Sequence, residues 1–180
     1  VLLGGDHSIA WPAIVALRRR RPAEILGIVQ VDAHTDLLAE RLGVRICFGS
    51  WAYHANDLVG RRGRLVQVGV RVSAQTREHW EQTLEVRQFW AEDVRARGFR
   101  VIDEIVTHLE QAGVERVYVS NDVDGTDPAW AEATGAPEPD GLRPEFVVEL
   151  IRRIGQRFGL AGGDVVEVAP DLGRSAEATR

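Results

Sequence analysis

Five short runs rich in Val, Ile and Leu punctuate the chain: Val1–Leu3, Ile25–Val31, Arg64–Val70, Arg116–Ser120 and Asp164–Val168. Each is bounded by glycine or charged residues, the pattern of strands covered on both faces. Between them the apolar period changes. Ile102, Ile105, Val106 and Leu109 follow i, i+3, i+4, i+7, and so do Val147, Leu150, Ile151 and Ile154, with Phe158 continuing the stripe. Gly113 and Gly159 stand where helix C-caps belong. Strands alternating with amphipathic helices imply βαβ units, and hence an α/β fold of three layers, α/β/α, around a mainly parallel sheet. In such sheets ligands bind beyond the carboxyl ends of the strands.

With 180 residues, 44% of them hydrophobic, the chain can bury one sizeable core, so residues 1–180 are expected to form a single domain. Val1 starts inside an apolar run with no preceding loop, and the polar stretch ending at Arg180 resembles the start of another helix. The chain therefore reads as a fragment cut at both ends, with N-terminal strands missing. A net charge of -5 argues against nucleic acid as a partner, because nucleic-acid binders present a basic face. No stretch approaches the roughly 18 apolar residues of a membrane span. The single cysteine, Cys47, excludes an internal disulfide and suits a reducing, cytoplasmic compartment. Arg18 to Arg21 falls at the end of the first helix, where cations complement the dipole.

The chemistry gathers at the strand ends. Gly4-Gly5-Asp6-His7-Ser8, Asp32-Ala33-His34-Thr35-Asp36 and Asp122-Val123-Asp124 each close a run with acidic or imidazole residues. In extended chain alternate residues share a face, which turns Asp32, His34 and Asp36 into one pocket and Asp122 and Asp124 into the same one, with His7 reaching from a neighbouring strand. Four carboxylates so close repel, by on the order of 4 kcal/mol for a pair about 4 Å apart at an effective dielectric of about 20. Two divalent cations neutralise the set. Mixed imidazole and carboxylate ligands favour manganese, iron, cobalt or zinc over calcium or magnesium, and manganese is the expected metal. Glu167 interrupts the apolar Val165-Val166-Glu167-Val168, where an ionised carboxylate needs a cation or donors. Two readings stand: it grips a guanidinium through paired N–H donors, or it forms a salt bridge with one of the chain's arginines.

These segments resemble the arginase and agmatinase (ureohydrolase) family. Gly-Gly-Asp-His-Ser (4 to 8), Asp-Ala-His-Thr-Asp (32 to 36) and Ser-Asn-Asp-Val-Asp-Gly-Thr-Asp-Pro (120 to 128) look like its three signatures in order, and the stretches 133–139 and 164–170 fit as well. The resemblance implies one metal held by His7, Asp32, Asp36 and Asp122 and a second held by His34, Asp32, Asp122 and Asp124, with Asp32 and Asp122 bridging. It implies hydrolysis of a guanidino C–N bond by a hydroxide between the metals, with Glu167 holding the guanidinium and Asp36 passing a proton to the leaving amine. Urea and an amine would be the products. It also implies assembly into homo-oligomers, trimers or hexamers.

The departures from the family narrow the substrate. Members usually carry a His-Gly pair after the second motif, and here the histidine position holds Phe48, followed by Gly49. His54 either replaces it as a catalytic and substrate-binding group or is an ordinary loop histidine. Arginases follow the second motif with residues that hold the amino acid end of arginine, whereas this chain has Leu37-Leu38-Ala39-Glu40, and Val72-Ser73-Ala74 where acidic residues bind the substrate amino group. An agmatinase-like amidinohydrolase is thus expected ahead of a strict arginase. A formimidoylglutamase-type hydrolase, with a formimino substrate, would share every metal ligand, and a family member that binds metal without turnover is the remaining alternative. A deacetylase-like amide hydrolase is disfavoured, since such enzymes commonly use one zinc with fewer carboxylates.

Overall fold

The structure, a computed structural model, describes residues 1–173; the expected helix start before Arg180 lies outside them. The apolar runs form strands β1 (Leu2–Leu3), β2 (Leu26–Val31), β3 (Leu65–Val68), β5 (Arg116–Asp122) and β6 (Leu160–Val166), joined by β4 (Arg87–Phe89). All pair in parallel, in the order β1-β6-β5-β2-β3-β4. The helices are α1 (Ala10–Arg20), α2 (Trp51–Val59), α3 (Arg77–Leu84), α4 (Ala91–Arg97), α5 (Arg100–Gln111) and α6 (Pro144–Phe158). None is long and apolar enough to cross a membrane.

The three layers follow from strand parity. In β2 and β3, Ile28 and Leu65 point to one face, packing with Ile14, Trp51 and Trp80 from α1, α2 and α3. Val29, Val31, Val66 and Val68 point to the other, against the α5 stripe of Ile102, Ile105 and Leu109 and the α6 residues Leu150 and Ile154. Each of these side chains, fully buried, contributes on the order of 1.5–3 kcal/mol through removal from water. Gly159 closes α6 with φ +70°, as its C-cap position requires.

Two expectations change. β1 is an edge strand of two residues, and Val1 and Leu3 are largely exposed, so that run is not covered on both faces. β4, three residues long with Arg87 and Gln88 inside it, presents no apolar run to read in the sequence.

After β2 the chain runs through β3 and β4 on one side of the sheet, then returns to place β5 on the other side of β2. The crevice at such a reversal is where open α/β sheets bind ligands. Gly125 lets the chain beyond β5 close onto β2 there. A Cβ at that position would lie 2.8 Å from the Asp32 nitrogen and 3.1 Å from its Cα, a collision with backbone that cannot yield.

Candidate metal centre

Every residue of the expected ligand set reaches the crevice, though not by alternation along extended strands. Asp32 to Asp36 lie beyond the end of β2 in an irregular turn, and Asp36 adopts φ +53°, a left-handed conformation that aims its carboxylate back at the strand ends. Asp6 caps the short 3-10 turn that carries His7, its Oδ1 accepting from the Ser8 nitrogen at 2.8 Å. Asp122 ends β5 and likewise caps the turn holding Asp124, accepting from the Asp124 nitrogen at 3.0 Å.

His7 is the most telling member. Its ring is 1% exposed, and Nε2 lies 2.8 Å from Ser120 Oγ. The serine hydroxyl donates to Asp164 Oδ1 at 2.8 Å, and Tyr118 donates to Oδ2 at 2.6 Å. With its hydroxyl proton committed, Ser120 accepts from His7 Nε2–H, which leaves Nδ1 as a lone pair in the neutral ring. That atom is buried and has no hydrogen-bond partner. It faces carboxylate oxygens of Asp122 at 3.1 Å and of Asp32 and Asp36, both at 3.3 Å. A lone pair and three carboxylates converge only if positive charge lies among them.

The second cluster shares a residue with the first. His34 Nδ1 lies 3.0 Å from Asp124 Oδ2 and 3.5 Å from Asp32 Oδ1. Asp32 therefore turns Oδ2 toward His7 and Oδ1 toward His34, the disposition of a bridging carboxylate. His7, Asp32 and Asp36 form one group of potential ligand atoms and Asp32, His34 and Asp124 another, each drawn within 4.8 Å.

The titration behaviour records the same charge demand. Burial, then the charge of Asp32, pushes Asp36 up to about 7 and Asp122 up to about 8, despite the opposing pull of His7. Burial also raises Asp124. Contacts with Asp124 and Asp32 raise His34 to about 11. Burial opposes charge on His7, but Asp122, Asp32 and Asp36 overcome it and lift its pKa well above the usual value. Burial works against the charge of Asp32 too, yet hydrogen bonds from His34 and His7 hold it well below the carboxylate range. The pocket recruits protons wherever it can, as a donor set suited to divalent cations does when it must neutralise itself.

Around the ligands runs a buried polar frame that the sequence reading did not single out. Gln30, Gln67 and Gln88 sit in register on β2, β3 and β4, each at most 1% exposed. Trp90 Nε1 donates to Gln88 at 2.9 Å, Gln88 to Gln67 at 2.7 Å, Gln67 to Gln30 at 2.8 Å, and Gln30 to Asp32 Oδ2 at 2.7 Å. The indole can only donate and the carboxylate only accept, so all three amides must point their N–H groups toward Asp32. The clue was present: Gln30 and Gln67 each interrupt an otherwise apolar run. Arg71 is a second frame element. Its guanidinium donates to the carbonyls of Asp124 (2.7 Å), Glu138 (2.7 Å), Pro139 (2.9 Å), Gly69 (3.0 Å) and Gly125 (3.3 Å), binding three loops at the crevice.

Glu167 lies one residue past β6 rather than inside a strand, at φ +60°. Its Oε1 accepts from the His7 nitrogen at 2.7 Å, and it makes no arginine ion pair among the described residues. It lines a cleft of about 730 Å³ together with all six expected ligands, Leu38, Arg41, Phe48, Val72 and Val168. His54 does not join them. It is 8% exposed within α2, and its Nε2 lies 3.0 Å from both the Ala39 and Arg45 carbonyls, holding the segment before α2 instead of facing the cleft. Of its two readings, the geometry meets the structural one, and Phe48 occupies the cleft wall.

Comparison with protein families matches the Arginase family over residues 1–180. The chain belongs to the arginase family. Its relatives include a guanidinobutyrase of Pseudomonas aeruginosa, 37% identical over 93% of this chain and 52% of its own length. A mitochondrial guanidino acid hydrolase of Homo sapiens is 33% identical over 93% of this chain and 47% of its own. Among solved structures, the formimidoylglutamase of Bacillus subtilis superposes with a TM-score of 0.85 at 26% identity, covering 99% of this chain and 56% of that one. The proclavaminate amidino hydrolase of Streptomyces clavuligerus gives 0.83 at 31% identity, covering 98% and 58%. This arginase-family chain thus spans about half the length of the curated relatives it matches.

Proposed function

We propose that this arginase-family hydrolase cleaves a guanidino C–N bond and releases urea, using two divalent transition metals, manganese foremost. His7, Asp32, Asp36 and Asp122 would hold one metal, and His34, Asp32, Asp122 and Asp124 the other. The observation that carries the reading is the pair of imidazole and carboxylate clusters sharing Asp32, with His7 Nδ1 buried and unpartnered among three carboxylates. The cations would neutralise the carboxylates and bring the acidity of a water near neutral pH.

The remaining work falls to side chains. Glu167, half-buried and with no arginine partner among the described residues, would offer its carboxylate to the planar guanidinium through N–H donors and so fix the carbon over the ligand cluster. Asp36 Oδ2, held by Trp51 Nε1 at 2.9 Å, is positioned to take a proton from the attacking water and return it to the leaving amine. The Leu37–Glu40 and Val72–Ala74 segments lack groups for an amino acid end, which supports an agmatine-like or other simple guanidino substrate over free arginine.

The test is urea release by the manganese-loaded protein from agmatine, 4-guanidinobutyrate and arginine, with formamide release from formiminoglutamate alongside and Asp124→Ala as control. Urea from a guanidino compound, lost in the control, is the expected result. Two bound metals per chain with no urea from any of them would overturn the proposal.

A further inference from the structure

One cation in the cleft has no assigned work. Among the described residues that line it, Arg41 is the only lysine or arginine. Its backbone is fixed at a tight hairpin: Arg41 and Val44 exchange hydrogen bonds of 3.0 and 2.9 Å across Leu42 and Gly43, which take φ +50° and +78°. Its guanidinium lies 4.5 Å above the centre of the Phe48 ring. Stacked in this way, the guanidinium gives one face to the ring and leaves the N–H groups at its edge free. Among the described residues no carboxylate pairs with it and no carbonyl accepts from it.

The cleft is consequently bipolar. Glu167 bonds the backbone of His7 beside the ligand cluster, Arg41 stacks on Phe48 in the wall, and, Asp6 apart, uncharged side chains, Leu38, Val72 and Val168 among them, complete the lining. A matching molecule has a guanidinium at one end, an apolar linker, and an anion at the other. Agmatine carries a second cation at that far end, where like charge faces it. We propose that the substrate is an ω-guanidino carboxylate whose carboxylate is bound by Arg41, an inference that rests on the hydrolase reading above and names its substrate class. Phe48 then has a purpose where the family histidine is absent: it holds Arg41 in place.

The experiment compares 4-guanidinobutyrate with agmatine, which shares the reacting group and has a similar length, on the manganese-loaded enzyme and its Arg41→Gln and Arg41→Lys variants. The wild type is expected to favour the acid in kcat/KM by about tenfold or more, and Arg41→Gln to raise KM for the acid by about ten- to a hundredfold without raising KM for agmatine. Arg41→Lys should recover part of the loss. A wild type that hydrolyses agmatine at least as well as the acid, or a glutamine variant that weakens both substrates alike, overturns the assignment. Should no compound be hydrolysed, the hydrolase reading falls separately, and calorimetry on the metal-free protein decides for Arg41. Weaker binding of 4-guanidinobutyrate by the glutamine variant then supports its role, and equal binding, or none by the wild type, refutes it.

Discussion

Replacing Gln67 with methionine removes the middle rung of the amide ladder while keeping the side chain's length and apolar packing. The substitution orphans the Gln88 N–H that donates to Gln67 and the Gln30 oxygen that accepts from it, and takes a donor from the Thr35 carbonyl. All of this happens where Gln30 and Gln67 are 0% exposed, so water cannot replace the lost partners. At roughly 1–3 kcal/mol for each of the three groups left unsatisfied, the loss should be about 3–9 kcal/mol, a large share of the 5–15 kcal/mol that holds a typical domain together. Urea unfolding of the metal-free protein, followed by tryptophan fluorescence and circular dichroism, measures it. The ladder also ends on Asp32, so manganese affinity should fall by about ten- to a hundredfold, as for other partners that orient a ligand. A stability loss under about 1 kcal/mol together with unchanged metal affinity would refute the claim that the three glutamines form a connected, water-free network.

Other perturbations probe the rest of the frame. In chelator, Asp36 and Asp122 have folded pKa values of about 7 and 8, above the unfolded value near 3.9, so their contribution is present below about pH 4 and fades as pH rises through 8. His34, raised to about 11, has the same sign, so the thermal midpoint in chelator should fall from pH 5.5 to 8.5; a midpoint that climbs over that range contradicts the charge accounting. Ser120→Ala removes the acceptor of His7 Nε2 and should cost about ten- to a hundredfold in manganese affinity by calorimetry, with retention of full affinity counting against the relay. Arg71→Met deprives five carbonyls of a charged donor and should destabilise the protein by roughly 3–5 kcal/mol in urea unfolding; a loss below about 1 kcal/mol would show that the loops hold without it.

Much of this architecture was legible because its causes are local. The 3.6-residue stripes of α5 and α6 and the apolar runs of β2, β3 and β5 each declare their burial in one short window. The clustering of the candidate ligands was legible for a related reason: ionisable residues at the ends of buried strands have few structural explanations. What the sequence hid depends on pairing across the sheet. Gln30, Gln67 and Gln88 are separated by tens of residues and form a ladder only once β2, β3 and β4 fall into register. Alternation along an extended strand predicted the right neighbours for Asp36 by the wrong geometry, since its left-handed backbone does the turning. His54 stayed open between two readings because a histidine near an active-site motif looks the same in sequence whether it faces a cleft or a pair of carbonyls.

The segment from Leu37 to Ser50 contributes no strand to the sheet, yet it supplies Leu38, Arg41 and Phe48 to the cleft, and its inner side is pinned by His54. The candidate metal ligands are rooted elsewhere, at or just beyond the ends of the parallel strands. On the proposed function, reaction chemistry and substrate choice are separately heritable in this molecule: substitutions on the excursion would retune which substrate enters while the ligand cluster keeps its own constraints. Under that reading one scaffold can diversify in specificity by rewriting residues of the wall while the floor stays fixed.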